Sequence, residues 1–182
     1  AGEKIDRVNK FKLLGVIIRS DLSWNSHVKY IVSKASKRIF VLCTLIRSGV
    51  STVDILAVYC SIVRSLLEYA SSVWHCGLTK EQSLEIEKVQ KRCLRLIFPN
   101  LSYRNALLLA GLERLAERRE RAAHALFQEI KRPNHILHNL LQLKDNNKAK
   151  IKTRDQYPFR IPRPKTSRLS RSLIVYGLTK RW

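Results

Sequence analysis

Regularly spaced basic residues carry the clearest chemistry in this sequence. Lys88, Arg92 and Arg95 stand at positions i, i+4 and i+7, with Lys91 beside them, so on a helix they form one ridge. Such a ridge can follow a phosphate backbone, where each neutralised phosphate releases counterions and makes affinity depend on salt. An ordinary solvated helix face is the alternative, and nothing in the pattern encodes a base sequence. An earlier segment offers a similar strip, formed by Lys34, Lys37 and Arg38.

The sequence offers no support for an active site. The sequence has no adjacent Asp-Asp pair, no Gly-x-Ser-x-Gly motif and no Gly-rich phosphate loop. Glu85 and Glu87 are two residues apart on a predicted helix and face different directions. His135 and His138 share one side of a helical turn, but no third ligand stands at a spacing that would close a tetrahedral metal site. We therefore predict no catalytic residue and no metal ligand, with metal binding by the two histidines as the open alternative.

The positive charge is the strongest feature of the composition. Among 182 residues, 35 are Lys or Arg and 14 are Asp or Glu, which gives a formal net charge of +21. A field of this sign attracts polyanions, of which nucleic acid is the commonest intracellular kind and an acidic membrane surface is the weaker alternative. Hydrophobic residues make up 45% of the chain, enough for a folded core, and the apolar run 13–18 is too short to span a membrane.

One short strand and six helical segments are expected to position these side chains. Residues 11–18 are apolar and rich in β-branched types, which suits one strand of a hairpin whose partner strand is missing. Ser51 begins one capping-box pattern, and Thr79 with Gln82 begins another. The predicted helices span residues 26–47, 51–73, 79–97, 102–110, 112–132 and 135–141.

The composition changes along the chain and predicts three regions: residues 1–24, 25–141 and 142–182. The last region holds twelve Lys and Arg but only Asp145 and Asp155, and three of the five prolines lie between residues 158 and 164. We therefore predict a mainly α fold, in which a helical bundle follows a short strand or hairpin remnant and precedes a basic, largely extended tail. Methionine is absent and the sequence begins at Ala1, which predicts a fragment of a longer protein.

Two further predictions concern the interior. Arg119 falls within the apolar stripe of its helix, so we expect its guanidinium to form a buried ion pair. Aromatic residues at helical spacing pack in a core more often than they stack on bases. We therefore expect Trp24, Tyr69 and Trp74 to be core residues.

An ordered series of short motifs resembles the downstream part of a non-LTR retrotransposon reverse transcriptase. The agreement covers residues 10–132, with a weaker echo in Arg163, Lys165-Thr166-Ser167 and Tyr176 near the end. Jockey-like or chicken-repeat-like elements are the nearest kind. Leu13 stands where an aromatic residue is usual in the family, and Ser72 stands where proline is common. No single motif is specific for this family, but the order in which the motifs occur is. The motifs are Lys12-Leu13-Leu14-Gly15-Val16, Asp21-Leu22-Ser23-Trp24 with His27, Leu67-Glu68-Tyr69-Ala70-Ser71-Ser72-Val73-Trp74-His75, Leu78-Thr79-Lys80, Val89-Gln90-Lys91-Arg92, Leu94-Arg95-Leu96-Ile97, Tyr103 with Ala106-Leu107, and Leu112-Glu113 with Glu117-Arg118-Arg119.

The resemblance implies that residues 11–18 are the last palm hairpin, called the primer grip, and that the following helices form a thumb. In that family the thumb holds the primer and template duplex behind a palm whose acidic residues bind two metal ions. Those acidic residues, with their magnesium, lie upstream of this chain, in the palm and fingers of the same polyprotein. The binding positions carried over are Lys12, Leu14 and Gly15 in the grip, with Lys91, Arg92 and Arg95 near the duplex. The family also implies a nuclear location.

Three functions remain open from the sequence. The first is a non-catalytic part of an RNA-directed DNA polymerase that holds RNA or an RNA and DNA hybrid. The second is a free-standing basic helical module that binds RNA or DNA. The third is a decayed element copy that acts only in protein interaction, through an exposed strand that pairs with another chain.

Overall fold

A two-stranded antiparallel hairpin comes first in the computed structural model, which describes residues 7–143 and 158–182. Strand β1 (Lys10–Leu13) pairs with strand β2 (Val16–Arg19), with Leu13 opposite Val16 at the turn. The two turn residues, Leu14 and Gly15, have φ angles of 44° and 84°. Positive φ at both central residues is the geometry whose twist matches that of the flanking strands.

The prediction of a single strand with a missing partner was wrong. Both strands lie within residues 11–18 and their immediate neighbours, because the Leu14 and Gly15 turn folds the segment back on itself. The apolar run on either side of Gly15 hid the turn, since a tight hairpin needs only two loop residues.

Helices form most of the remaining described structure, so the predicted mainly α fold with a hairpin at its start is confirmed. The helices are α1 (Asn25–Arg47), α2 (Thr52–Val58), α3 (Ser65–Glu68), α4 (Ser71–Trp74), α5 (Lys80–Ile97), α6 (Tyr103–Leu109), α7 (Leu115–Ile130), α8 (Ser167–Ser170) and α9 (Leu173–Lys180). A π-helical segment, Tyr59–Arg64, joins α2 to α3, and short 3₁₀ turns lie at His75–Gly77 and His138–Leu140. None of the helices in the described ranges is long and apolar enough to cross a membrane.

Side-chain caps explain where several helices begin. The hydroxyl of Ser51 accepts a hydrogen bond from the Asp54 backbone N–H at the start of α2. Thr79 and Gln82 form the predicted capping box at the start of α5, each side chain accepting from the other residue's backbone N–H. These contacts satisfy N–H groups that have no partner within the helix, so they fix the helix start.

The second predicted helix is interrupted. In the π-helical segment the Ser65 N–H bonds to the Cys60 carbonyl, five residues back. Beyond α3, Tyr69 is extended and Ala70 has a φ of 50°, so the chain leaves the helix before α4. The apolar spacing in the sequence does not distinguish a π turn from an α turn, because both keep one face apolar.

The chain divides into two compact units. The first unit comprises the residues up to Ser71 together with 78–119, and the second comprises 72–77 together with the residues from Glu120 onward. In the first unit α1 packs on α5, and the buried apolar residues of the two helices form much of the core. They are Val28, Ile31, Ala35, Ile39 and Leu42 from α1, and Ile86, Val89, Cys93 and Leu94 from α5.

A buried polar network crosses the first unit. The Gln90 amide accepts from the Tyr59 hydroxyl at 2.6 Å and donates to the Tyr103 hydroxyl at 2.9 Å and to the Glu113 carbonyl at 3.0 Å. Tyr103 in turn donates to the Glu87 carboxylate. Gln90 and Tyr59 are fully buried, so these bonds satisfy groups that have no access to water.

Arg119 is fully buried, as the sequence predicts. Its guanidinium donates to the Ser83 hydroxyl at 3.1 Å, whereas the neighbouring Arg118 forms a partly exposed ion pair with Glu68. Burial lowers the pKa of Arg119 to about 10, and the negative charges of Glu87 and Glu68 oppose that change. The guanidinium is therefore held by a hydroxyl and by nearby carboxylates.

In the second unit, a small core includes Phe127, Ile130, Leu141, Phe159 and Leu178. The last described residues differ from the prediction, because a largely extended tail was expected and α8 and α9 form within it. The predicted tail residues 144–157 lie outside the described ranges. Apolar residues at helical spacing, with Val175 and Leu178 buried, explain α9.

The aromatic predictions have mixed outcomes. Trp74 is fully buried, as predicted, and Trp24 is half-buried against the ring of His27. Tyr69 is 56% exposed, so its assignment to the core was wrong. It follows the end of α3, where the chain has left the helix and the helical spacing no longer applies.

Candidate nucleic-acid interface

A basic cleft of about 370 Å³ lies between the hairpin and α1 in the first unit. The hairpin contributes Lys12 and Gly15, and α1 contributes Lys34 and Arg38. These four residues were predicted separately, from two segments of the sequence, and the fold brings them to one site. The other residues of the wall are Tyr30, Ile31, Ser65, Leu66 and Tyr69.

Tyr30 lies between two lysines in this cleft. The Lys12 ammonium donates to the Tyr30 hydroxyl at 3.0 Å and stands 4.9 Å from the ring centre, and the Lys34 ammonium stands 5.7 Å from the same centre. The hydrogen bond from Lys12 lowers the pKa of the Tyr30 hydroxyl below its usual value. The tyrosine thus holds two positive charges close together at the surface, within the range of cation–π attraction.

Tyr69 fixes the turn of the hairpin. Its hydroxyl donates to the Leu14 carbonyl at 3.1 Å. A Cβ atom at Gly15 would lie 3.1 Å from Cε1 of the Tyr69 ring, and Gly15 has a φ of 84°, so both the space and the backbone favour glycine. Leu14, the other predicted grip residue, is 83% exposed at the tip of the turn.

Arg38 contributes to the wall of the cleft and also has a structural contact. It is half-buried, and its Nη1 donates to the Ile62 carbonyl in the π-helical segment at 2.6 Å. A guanidinium has five N–H donors in a fixed fork, so one bond to the backbone orients the group and leaves others available. The contact ties α1 to the wall that carries Ser65 and Tyr69.

A second hollow, of about 560 Å³, lies on the other side of Lys12 and Tyr30. It adds two lysines that the sequence analysis missed, Lys10 on β1 and Lys29 on α1. Among the described residues that line the two hollows there is no carboxylate. The sequence could have predicted Lys10 at this site. Side chains alternate between the two faces of a strand, so Lys10, two residues before Lys12, lies on the same face as Lys12.

The predicted ridge on α5 exists as a row of exposed side chains. Lys88, Lys91, Arg92 and Arg95 are exposed, while Val89 and Cys93 face the core. None of the four basic side chains forms an ion pair with a residue in the described ranges. The ridge does not line the basic cleft, and Lys37 on α1 is exposed outside it as well.

The two histidines considered for metal binding each contact the backbone. Nδ1 of His135 accepts from the Leu137 N–H at 3.1 Å, and Nδ1 of His138 lies 3.1 Å from the Ile130 carbonyl oxygen. Within residues 7–143 and 158–182, no group of three or more His, Cys, Asp or Glu side chains could hold a metal ion.

The chemistry available in the basic cleft is the binding of a polyanion. Ammonium and guanidinium groups on two elements face one hollow, and aromatic rings stand beside them. Comparison of the chain with protein-family models, curated proteins and solved structures finds no match.

Proposed function

We propose that this chain is a non-catalytic part of a retrotransposon RNA-directed DNA polymerase that holds the primer and template nucleic acid. The observation that supports it most is the convergence of Lys12, Lys34 and Arg38 on one hollow that no described carboxylate lines. Nucleic-acid phosphates are the ligands that such a group of cations attracts.

The motif residues of the resemblance also come together in a way that supports the proposal. Lys12, Leu14 and Gly15 belong to the motif of the primer grip, and Tyr69 belongs to a motif more than 50 residues later. Tyr69 bonds to the Leu14 carbonyl, and its ring lies close to Gly15. Residues of both motifs therefore act together to position the turn. The exposed ridge on α5 supplies further cations for a duplex.

Under this proposal the chemistry of polymerisation belongs to other parts of the polyprotein. The catalytic carboxylates and their magnesium would be in the palm, and the palm and fingers would be the protein partners of this chain. RNA and RNA/DNA duplex would be the nucleic-acid partners, and the nucleus would be the place of action.

The complete hairpin favours a second candidate, a free-standing basic module that binds RNA or DNA. Both strands are present and pair with each other, so this segment needs no strand from another domain. The protein-interaction alternative stays a prediction, although the strand that it invoked is paired within the hairpin. Equal affinity for the RNA/DNA hybrid and for duplex DNA would favour the second candidate over the first.

Binding of a fluorescein-labelled RNA/DNA primer–template duplex, measured by anisotropy, tests the proposed function. We expect Lys12→Glu with Lys34→Glu to weaken binding by about tenfold or more, because charge-assisted contacts to phosphate are lost. The slope of log affinity against log salt should become shallower by about 2, at about 0.9 per phosphate contact in a duplex.

The matched control is Lys80→Glu with Arg104→Glu, which makes the same change of charge at exposed positions outside both hollows. We expect this control to weaken binding far less than the cleft variant. Equal losses in the two variants would mean that net charge alone attracts the duplex, and the cleft would then have no special role.

A further inference from the structure

The last described segment forms a second basic cleft, which is separate from the one described above. Residues 158–182 contain seven Lys and Arg and no Asp or Glu. A hollow of about 700 Å³ opens there, within the second unit. Its wall consists of Ile161, Pro162, Arg163, Pro164, Ser170, Arg171, Tyr176, Thr179 and Lys180.

The chain is held in place immediately before residues 161–164, which form one side of this cleft. Phe159 is buried in the core of the second unit with Phe127 and Leu178, and its ring stands 6.4 Å from that of His138. The Arg160 N–H donates to the Gln142 carbonyl at 2.7 Å, beside an isolated bridge between Leu143 and Phe159. The prolines that follow therefore extend from a fixed point.

The other side of the cleft is anchored by α9. Gly177 packs so closely on the Phe127 ring that an added Cβ would stand 2.5 Å from it. After the helix, the Lys131 ammonium donates to the Trp182 carbonyl at 2.7 Å, and the Trp182 and Tyr176 rings pack edge to face. The cations of this segment are thus held on a folded surface rather than on an extended polycation.

Positive charges and uncharged surface alternate within the hollow. Arg163 precedes α8, Arg171 follows it, and Lys180 ends α9 with its ammonium 5.7 Å from the centre of the Tyr176 ring. The Tyr176 hydroxyl donates to the Glu120 carboxylate, which also lies 2.7 Å from Nε2 of His75. That carboxylate is hydrogen-bonded to neighbouring side chains, and it does not line the hollow.

We propose that this cleft binds a single strand of nucleic acid through its phosphates. Arg163 and Arg171 can each bind a phosphate with two parallel N–H bonds, and Lys180 can bind one as a point charge. The apolar surface of Ile161, Pro162 and Pro164 is placed to contact sugars and bases. Only a single strand exposes the faces of its bases, and a duplex hides them in the stack.

The concave shape of the cleft favours a nucleic-acid strand over an acidic membrane surface as the ligand. The cleft cations are themselves exposed, but they surround a hollow with an apolar wall, which a flexible strand can enter and a flat bilayer surface cannot. The proposal is independent of the first cleft, since the residues that carry it belong to another unit.

The test uses the full chain and a fluorescein-labelled single-stranded RNA of mixed sequence, with anisotropy as the readout. We expect Arg163→Glu with Arg171→Glu to weaken binding by about tenfold or more. The slope against salt should become shallower by about 1.4, at about 0.7 per phosphate contact in a single strand. Arg132→Glu with Arg160→Glu is the matched control, with the same change of charge at exposed positions of the same unit outside the cleft.

Two further measurements keep the result interpretable. Arg163→Gln with Arg171→Gln should also lower the affinity for RNA, by a smaller factor than the two changes to Glu. Near-ultraviolet circular dichroism should show that every variant retains its packed aromatic residues. Equal losses in the cleft variant and its control would overturn the proposal, because charge alone would then explain binding. Loss of binding to phosphatidylserine vesicles with RNA binding unchanged would also overturn it.

The failure of one proposal is distinguishable from the failure of the other. Lys12→Glu with Lys34→Glu is expected to affect duplex binding most, and Arg163→Glu with Arg171→Glu is expected to affect single-strand binding most. If the second pair leaves single-strand affinity unchanged, the second cleft has no such role, whatever the first pair does to the duplex.

Discussion

The backbone N–H of Ile17 donates a hydrogen bond to Nδ1 of His27 over 3.3 Å, which fastens β2 to α1. His27 is almost fully buried, and its ring lies edge to face against Trp24. The bond requires a neutral imidazole with Nδ1 as the acceptor, and burial lowers the pKa of His27 below 6.5. The placement of Lys12 and Gly15 against α1 therefore depends on a histidine that stays uncharged.

Acid should weaken this attachment. The pKa of His27 is lower in the folded state than in the unfolded state, so the unfolded state binds the proton first as the pH falls below about 6.5. The free energy of unfolding should decrease from that pH down to the folded pKa. Urea denaturation at a series of pH values measures the decrease. His27→Asn keeps an acceptor and should show a smaller pH dependence than the unchanged chain.

Gly15→Ala should destabilise the first unit more than Gly49→Ala does. Both glycines have a positive φ, and only Gly15 has a neighbour, the Tyr69 ring, within contact distance of an added Cβ. The backbone strain, about 1 kcal/mol, is common to the two variants, so the difference between them reports the contact with Tyr69. Thermal or urea unfolding gives both values, and equal losses would contradict a clamping role for Tyr69.

Gln90→Leu should lower the free energy of unfolding by about 2 to 4 kcal/mol, because it removes the hydrogen-bond partner of the buried Tyr59 hydroxyl and of the partly buried Glu113 carbonyl. Tyr59→Phe should cost about 1 kcal/mol. The double variant should lose less than the sum of the two, since each change removes one half of the same hydrogen bond. Additive losses in urea unfolding would show that the pair is not coupled.

Arg92→Glu with Arg95→Glu should weaken duplex binding and make its salt dependence shallower, because the two exposed guanidinium groups lie on one face of α5. The control is Glu81→Arg with Glu85→Arg, which raises the charge at exposed positions near the start of the same helix. If Arg92→Glu with Arg95→Glu leaves both the affinity and the salt slope unchanged, the ridge is an ordinary solvated surface.

Gly177→Ala should open the second unit locally. The added methyl group would stand 2.5 Å from the Phe127 ring, so ring and helix must separate, at a cost of about 1 to 3 kcal/mol. Hydrogen exchange followed by mass spectrometry should show faster exchange in peptides from residues 173–180. Peptides from 80–97 should be unchanged, and Thr179→Ala, at an exposed position of the same helix, should leave both regions protected.

Local rules explain most of what could be predicted from the sequence. Ser51 and Thr79 mark helix starts because their side chains bond to backbone groups three residues away, and such contacts need no tertiary information. The mainly α fold followed from apolar spacing on a helical period. The lysine and arginine ridge of α5 was visible in the same way, because neighbouring Val89 and Cys93 point to the core.

Long-range contacts explain what was missed. The turn at Gly15 and the exposed position of Tyr69 depend on each other across more than 50 residues, and no local pattern encodes that pairing. The second cleft was missed for a similar reason. Residues 158–182 have the composition of an extended basic tail, which outweighed the short apolar pattern of α9, and the burial of Phe159 and Leu178 in a core with Phe127 depends on contacts far apart in the sequence.

The π-helical segment Tyr59–Arg64 has a consequence for how the length of this chain can vary. A π turn holds one more residue than an α turn, so deletion of an exposed residue such as Ser61 would let the segment run as a regular α-helix. Residues on both sides would keep their faces, and Leu67 would still point to the core. What would change is the carbonyl presented to Arg38, so a chain one residue shorter here would keep its fold and lose the brace on one wall of the basic cleft.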